Sequence, residues 1–256
     1  MAMKVSLVLT VNNRTPEVCK QVADSFRLPG NLVDEAVIVL DRPAQDVRDG
    51  ALAAWAGYPS PVNFVSIDGP AGWICPARAW NTGYEAVTDD LIYAISSEVV
   101  QDAGNVDKMR AACEDGKTVT FGACHNSVAD TMVDGAEPGL LVSSKLPRPL
   151  GFIVGVPTRI MRQIGGNDLA FMDGLWYEDD DLFKRVWDTG VSFVFDDSIH
   201  GVHLHHDRPG LSTPEGQAKI QRNAALMKKK HGTPHPLNSL QKIATYAPGH
   251  TTWKHL

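Results

Sequence analysis

A chain of 256 residues, 43% of them hydrophobic, is long enough to bury one large α/β core. Its formal net charge of −6 argues against a protein that grips nucleic acid through bulk positive charge. The N-terminal apolar run from Val5 to Val11 is too short to span a bilayer and lacks the pattern of a signal peptide. Four scattered cysteines (Cys19, Cys75, Cys113 and Cys124) contain no Cys-x-x-Cys pair, so we read them as reduced thiols of a cytoplasmic protein with no stable membrane insertion.

In chain order, Val5 to Leu9 reads as a buried strand. Thr15-Pro16-Glu17 then supplies a helix cap, a proline at the first helical position and an early acid. Val18, Val22 and Phe26 mark one face of that helix. Ala36 to Leu40 is a second, wholly apolar strand ending in Asp41, and a helix carrying Val47, Leu52 and Trp55 follows it. Val62 to Ile67 is a third strand, ending in Asp68. Strand, helix, strand, helix, strand implies right-handed crossovers and a doubly wound, Rossmann-like, mostly parallel central sheet with helices on both faces. Ligands in such sheets gather at the carboxyl ends of the strands, where Thr10, Asp41 and Asp68 stand. A polar residue after a strand also commonly begins a turn, and for Asp41 the two readings balance.

After the loop Asp68 to Trp73 comes the segment Arg78-Ala79-Trp80-Asn81-Thr82-Gly83, opening a helix that puts Arg78 and Asn81 on one face. Neither G-x-G-x-x-G nor a Walker loop occurs, which removes the main support for dinucleotide dehydrogenases and P-loop NTPases. Leu91 to Ile95 is a fourth strand, running into Ser96-Ser97-Glu98. Residues 125 to 150 lack periodicity and read as a loop. Ile164-Gly165-Gly166-Asn167-Asp168 is a turn. Glu178-Asp179-Asp180-Asp181 opens a short helix with Leu182, Phe183, Val186 and Trp187 at helical spacing, stopped by Thr189-Gly190. Acids are common in a first helical turn, so these four alone say little. Val191 to Phe195 reads as a strand, Asp196-Asp197-Ser198 as a turn, and Ile199 to His205 as extended chain with His203 and His205 on one face. Two such histidines suit one metal ion, and a polar cluster at a strand end is the plainer alternative. Residues 214 to 230 read as a helix and the last two dozen as irregular.

Taken together and in order, Arg78-x-x-Asn81-x-Gly83, Gly165-Gly166-x-Asp168 and Glu178-Asp179-x-Asp181-Leu182-x-x-Arg185 resemble the nucleotide-sugar-dependent GT-A glycosyltransferases. The acidic segment is similar to the carboxyl-terminal half of the β-1,4-galactosyltransferases and related family 2 enzymes. The resemblance spans residues 4 to 206 and implies a GT-A domain over 1–206, with a nucleotide-sugar half (1–100), an acceptor and catalytic half (101–206) including a small acceptor-side subregion, and an extension over 207–256. It implies a metal-dependent, inverting hexosyl transfer from a nucleotide diphosphate sugar, a UDP-sugar first among them, to a glycan or a modified nucleobase. Asp179 would be the base, with Glu178 binding acceptor or sugar. Thr10, Asp41, Asp68, Arg78, Asn81 and Ser96 would face the donor. Trp176 and Tyr177, with Glu178, would face the acceptor, and Trp73 could stack on a sugar or base. Glu98 with His203 or His205 would hold Mn2+ or Mg2+. Ser96-Ser97-Glu98 departs from the family's D-x-D: Glu98 can still coordinate a hard cation, whereas Ser96 is a neutral and weaker partner. The alternatives are a degenerate GT-A module that holds nucleotide sugar without turnover, and a metal-dependent hydrolase or nucleotidyltransferase. The latter leaves the Gly165-Gly166 turn and the Arg78/Asn81 pair unexplained.

Overall fold

The computed structural model of the chain describes residues 2–69, 75–127, 139–206 and 211–256; Trp73 and the centre of the 125–150 loop lie outside them. The first apolar run becomes β1 (Val5–Val11), buried except at Thr10. In α1 (Pro16–Ser25) the Thr15 hydroxyl accepts the Val18 N–H at 3.3 Å, the capping bond that the Thr-Pro-Glu signal predicts. Next come β2 (Glu35–Asp41), α2 (Gln45–Trp55), β3 (Val62–Ile67), α3 (Ala77–Ala86) and β4 (Leu91–Ile95). The second half holds β5 (Val99–Gln101), α4 (Asn105–Ala112), β6 (Thr118–Asn126), β7 (Leu140–Val142), β8 (Ile153–Pro157), α5 (Thr158–Ile164), α6 (Glu178–Trp187) and β9 (Ser192–His203). The chain closes with α7 (Pro214–His231) and a hairpin of β10 (Lys242–Ala247) and β11 (His250–His255).

The strands form one sheet in the order β10-β11-β9-β6-β8-β4-β1-β2-β3, with β5 on β9 and β7 on β6. β3, β2, β1 and β4 run parallel, as the strand–helix alternation requires. Beyond β4 the sheet is mixed: β8 is antiparallel to both β4 and β6, β6 and β9 are parallel, and β9 and β11 are antiparallel. Parallel pairing therefore governs the first half, not the whole sheet. From β1 the chain moves to β2 and β3 on one side and to β4 on the other. The carboxyl ends of β1 and β4 thus form the crevice of a topological switch point.

Two glycines of the sequence motifs set the spacing of the layers. A Cβ on Gly83 would lie 2.4 Å from Val8 Cγ1, so glycine lets α3 approach β1. Gly166 has φ +71°, and a Cβ there would meet Asn81 Oδ1 at 2.4 Å. In the second half a knot of aromatics fills the space under α6. The Phe183 and Phe193 ring centroids lie 4.9 and 5.1 Å from that of Phe121, and Trp187 is 5.1 Å from Phe193. Each fully buried ring is worth roughly 1.5–3 kcal/mol of transfer free energy, and together they fix the axis on which the four acids sit.

Two expectations are corrected. β9 runs unbroken through Asp196-Asp197-Ser198, absorbing the polar triplet as a register shift against β6 between Gly122 and Ala123 instead of turning. The last two dozen residues are not irregular: β11 pairs with β9 and extends the central sheet, with Trp253 packed 4.9 Å from Phe195. The apolar anchor in that hairpin is one aromatic, too little to reveal a strand by periodicity. Among the described residues no helix is long and apolar enough to cross a membrane. The four cysteines are free and buried.

Candidate active site

The switch-point crevice has two ends, joined by a dipeptide. At the first end, β5 pairs antiparallel with the last residues of β9, and Val99 stands opposite His203. That pairing brings Glu98, one residue ahead of β5, against His203. Glu98 Oε1 lies 3.1 Å from His203 Nε2 and 3.5 Å from His206 Nε2. One ligand atom from each of Glu98, His203 and His206 can lie within 4.8 Å of the others, a separation a single ion can bridge. His203 Nδ1 is buried without a hydrogen-bond partner among the described residues. One carboxylate and two imidazoles form a donor set suited to a borderline divalent cation more than to Mg2+, which prefers oxygen and keeps its waters.

His205 is not part of this cluster. β9 stops at His203, so the two-residue repeat that would align His203 with His205 ends there. The His205 N–H donates to Ser127 Oγ at 2.9 Å, its side chain is exposed, and the chain swings His206 back toward Glu98.

Glu98 Oε2 also accepts from Arg14 Nε at 2.8 Å and from Ser97 Oγ at 3.0 Å. Burial alone would raise the Glu98 pKa, but hydrogen bonds from His203 and His206 and the Arg14 charge outweigh it, holding the carboxyl well below its ordinary value. Arg14 follows β1 and lines a cleft of about 290 Å³ with Asn12, Asn13, Thr15 and Arg42. Sequence reading passed over Arg14 and Arg42. The available signal was their place, just past the carboxyl ends of β1 and β2, where ligands of doubly wound sheets bind.

The residues expected to face the donor are dispersed. Thr10 is half-buried at the end of β1, and Asp68 and Arg78 are exposed. Asp41 is buried at the end of β2, with its carboxylate on Arg42 at 2.7 Å. The Asn81 side chain is taken up by the fold: its Oδ1 accepts the Asn167 N–H at 2.7 Å and its Nδ2 donates to the Asn167 carbonyl at 2.9 Å. The Arg-x-x-Asn-x-Gly and Gly-Gly-x-Asp motifs are therefore two halves of one helix-to-turn lock. Ser96 turns its hydroxyl to the Gly151 carbonyl at 3.2 Å.

The dipeptide Gly151-Phe152 links this end to the acids. Its Phe152 carbonyl accepts the Ser96 N–H at 3.1 Å, and its Gly151 N–H donates to Asp179 Oδ2 at 3.0 Å. A Cβ on Gly151 would lie 3.3 Å from that same oxygen.

At the second end, α6 begins with the four acids in its first turn. Burial raises the pKa values of both Glu178 and Asp179; repulsion from Asp179 adds to the rise at Glu178, and the Gly151 N–H partly offsets it at Asp179. Among the described residues Glu178 Oε2 is buried with no hydrogen-bond partner. Asp180 is pushed up to about 6, chiefly by burial and then by Asp179, with Arg148 opposing. Asp181 is different. It is fully buried and bonded to Arg185 Nε at 2.7 Å, Lys230 Nζ at 2.5 Å and His231 Nε2 at 2.8 Å. Those partners overcome the effect of burial and lower its pKa. Asp181 and Arg185, four residues apart on α6, thus form a structural ion pair. His231, on α7, is its third partner.

Trp176 and Tyr177 enter α6 with φ of 62° and 70°, left-handed backbone that costs an aromatic residue on the order of 1–3 kcal/mol each. α7 holds the strain in place: buried Asn223 Nδ2 donates to the Trp176 carbonyl at 2.9 Å and to the Phe171 carbonyl at 3.0 Å. Trp176 is 47% exposed, an aromatic face left to solvent beside the acids.

No family model and no curated protein matches the sequence. Solved structures do match the fold. One is a crystal structure of GalNAc-T7 with UDP, GalNAc and Mn2+, at 12% identity and a TM-score of 0.59, covering 80% of this chain and 44% of that one. The chain thus spans less than half of that neighbour's length. The likeness defines the class of fold: a mixed α/β, GT-A-like, Rossmann-type architecture with helices on both sides of the central sheet.

Proposed function

We propose that the chain is a metal-dependent glycosyltransferase that moves a sugar from a nucleotide diphosphate donor, a UDP-sugar first among the candidates, to an acceptor hydroxyl. The observation that carries this reading is the juxtaposition of two carboxylate environments across Gly151-Phe152: a charged Glu98 beside two histidines, and a buried acid pair of raised pKa. A divalent cation held by Glu98, His203 and His206 would supply positive charge for the departing diphosphate. Arg14 and Arg42 line the cleft where a diphosphate would lie. Asp179, raised toward neutrality by burial and oriented by the Gly151 N–H, is suited to accept the acceptor's proton. The unpartnered Glu178 oxygen is suited to bind a sugar or acceptor hydroxyl, with Trp176 and Tyr177 offering ring faces to the acceptor. A base on the face opposite the leaving group corresponds to inversion. Glycans and modified nucleobases remain the acceptor classes that this chemistry fits.

One observation favours a second reading, a nucleotide-sugar-binding module without turnover: Ser96, where the family carries an acid, is a neutral residue whose hydroxyl donates to the Gly151 carbonyl. A thermal-shift panel of nucleotide sugars with and without Mn2+, followed by product analysis, separates the two. Turnover is the expected outcome. Stabilisation without turnover over a broad acceptor panel selects the module, and no stabilisation by any nucleotide diphosphate removes both.

A further inference from the structure

Glu98 already carries a cation, and it belongs to the chain. Its two oxygens are divided: Oε1 faces His203 and His206, and Oε2 faces Arg14 and Ser97. The Arg14 and Glu98 side chains are 12% and 10% exposed, so their 2.8 Å contact is largely withdrawn from water. The same Arg14 lines the cleft at the ends of β1 and β2, and its Nη1 donates to Asn13 Oδ1 at 2.8 Å, on the wall of that cleft.

We propose that Arg14 couples the divalent cation to the nucleotide diphosphate: it neutralises Glu98 while the cleft is empty and turns to the diphosphate when the donor enters. The inference rests on the donor and metal reading above. A divalent cation taken up by Glu98, His203 and His206 must share one carboxylate with a guanidinium. Like charges converging in a site of low effective dielectric repel strongly. The resident pair must therefore be loosened before the cation binds tightly. A diphosphate is the counter-charge that can draw Arg14 away, because a guanidinium fork matches phosphate oxygens. Neither ligand is then bound tightly without the other, and linkage makes the effect reciprocal. Lys20, the next cation along α1, is engaged with Asp24, and Arg42 is engaged with Asp41, which leaves Arg14 as the guanidinium on Glu98.

The test is calorimetric titration of the full chain with Mn2+, with UDP, and with each in the presence of the other. In the unmodified protein, saturating UDP should tighten Mn2+ binding by about tenfold or more, within the 5–150-fold range usual for coupled sites. In Arg14→Gln, Mn2+ alone should bind several-fold tighter than in the unmodified protein, UDP alone should bind more weakly, and the coupling should fall several-fold, to the part that direct attraction between cation and diphosphate supplies. Arg14→Lys keeps the charge and loses the fork, so its coupling should fall between the two; it also decides the matter if Arg14→Gln does not fold. Undiminished coupling in both variants, or weaker binding of Mn2+ alone in Arg14→Gln, overturns the proposal and makes Arg14 a structural support for Glu98. Absence of Mn2+ binding to the unmodified protein even with UDP is a different failure, because it removes the metal reading itself.

Discussion

Two buried glutamates on either side of Gly151 have opposite fates. Glu98 is surrounded by Arg14, Ser97, His203 and His206, and stays charged. Glu178 is buried beside Asp179 with one oxygen unpartnered, and is pushed toward its neutral form. Burial acts on both in the same direction, so the partners make the difference. A carboxylate that must hold a cation benefits from being charged at every physiological pH. A carboxylate near a proton transfer benefits from a pKa closer to neutrality. Asp181 shows that the contrast is local and not a property of α6: two residues beyond Asp179, hydrogen bonds from Lys230, His231 and Arg185 reverse the sign.

The largest expected effect comes from breaking the acid end. Asp179→Asn should lower transfer by about 10²–10⁴-fold, the usual contribution of a general base, with donor and Mn2+ affinity unchanged in titrations. Turnover within a few-fold of the unmodified protein would take Asp179 out of that role. The packing that carries the crevice comes next. Gly83→Ala should destabilise the fold by about 1–3 kcal/mol, because its methyl must displace Val8. Urea unfolding gives the number, and a neutral result would mean that α3 can shift on the sheet.

The raised acids make a signed prediction about pH. Between the ordinary carboxylate range near 4 and the raised native values, the folded protein binds more protons than the unfolded chain, so stability falls as pH rises through that window. Glu178→Gln removes one such group. Its melting temperature should exceed that of the unmodified protein by a few degrees at pH 8, since about 1 kcal/mol is worth roughly 2–4 °C at this size. The gain should vanish at pH 4. A gain at pH 4 that disappears at pH 8 would mean that Glu178 is stabilised as an anion. The smallest effect is also the most discriminating at the metal end. His205→Ala should leave Mn2+ affinity within about twofold, whereas His206→Ala should weaken it by about 10–100-fold, the scale seen when groups supporting a metal are removed. Equal effects would mean that His205 rejoins the cluster when metal binds.

Much of the scaffold was legible from local pattern. Thr15-Pro16 marked the start of α1, the apolar runs marked β1, β2 and β4, and Gly190 marked the end of α6. These are short-range signals of capping, period and left-handed glycine. The strand direction beyond β4 was not legible, because a short buried strand looks the same whichever way it pairs. The hairpin at the carboxyl end was missed because four of its six β10 positions lie exposed on the edge of the sheet and the other two are only half-buried.

The candidate site divides along the same line. Sequence by itself determined that four acids open an amphipathic helix, that Glu98 follows the fourth strand, and that histidines close an extended segment after Ile199. Each follows from neighbours within one or two turns of chain. Tertiary structure decided which of these groups work together. His206 and not His205 meets Glu98 because β5 pairs with β9 across more than 100 residues of sequence. Asn81 closes a lock on Asn167, and Ser96 steadies the dipeptide that holds Asp179. Asp181 became structural when α7 brought Lys230 and His231 to it. A carboxylate's charge state depends on what lies within a few ångströms of it, and in this chain those neighbours come from distant segments.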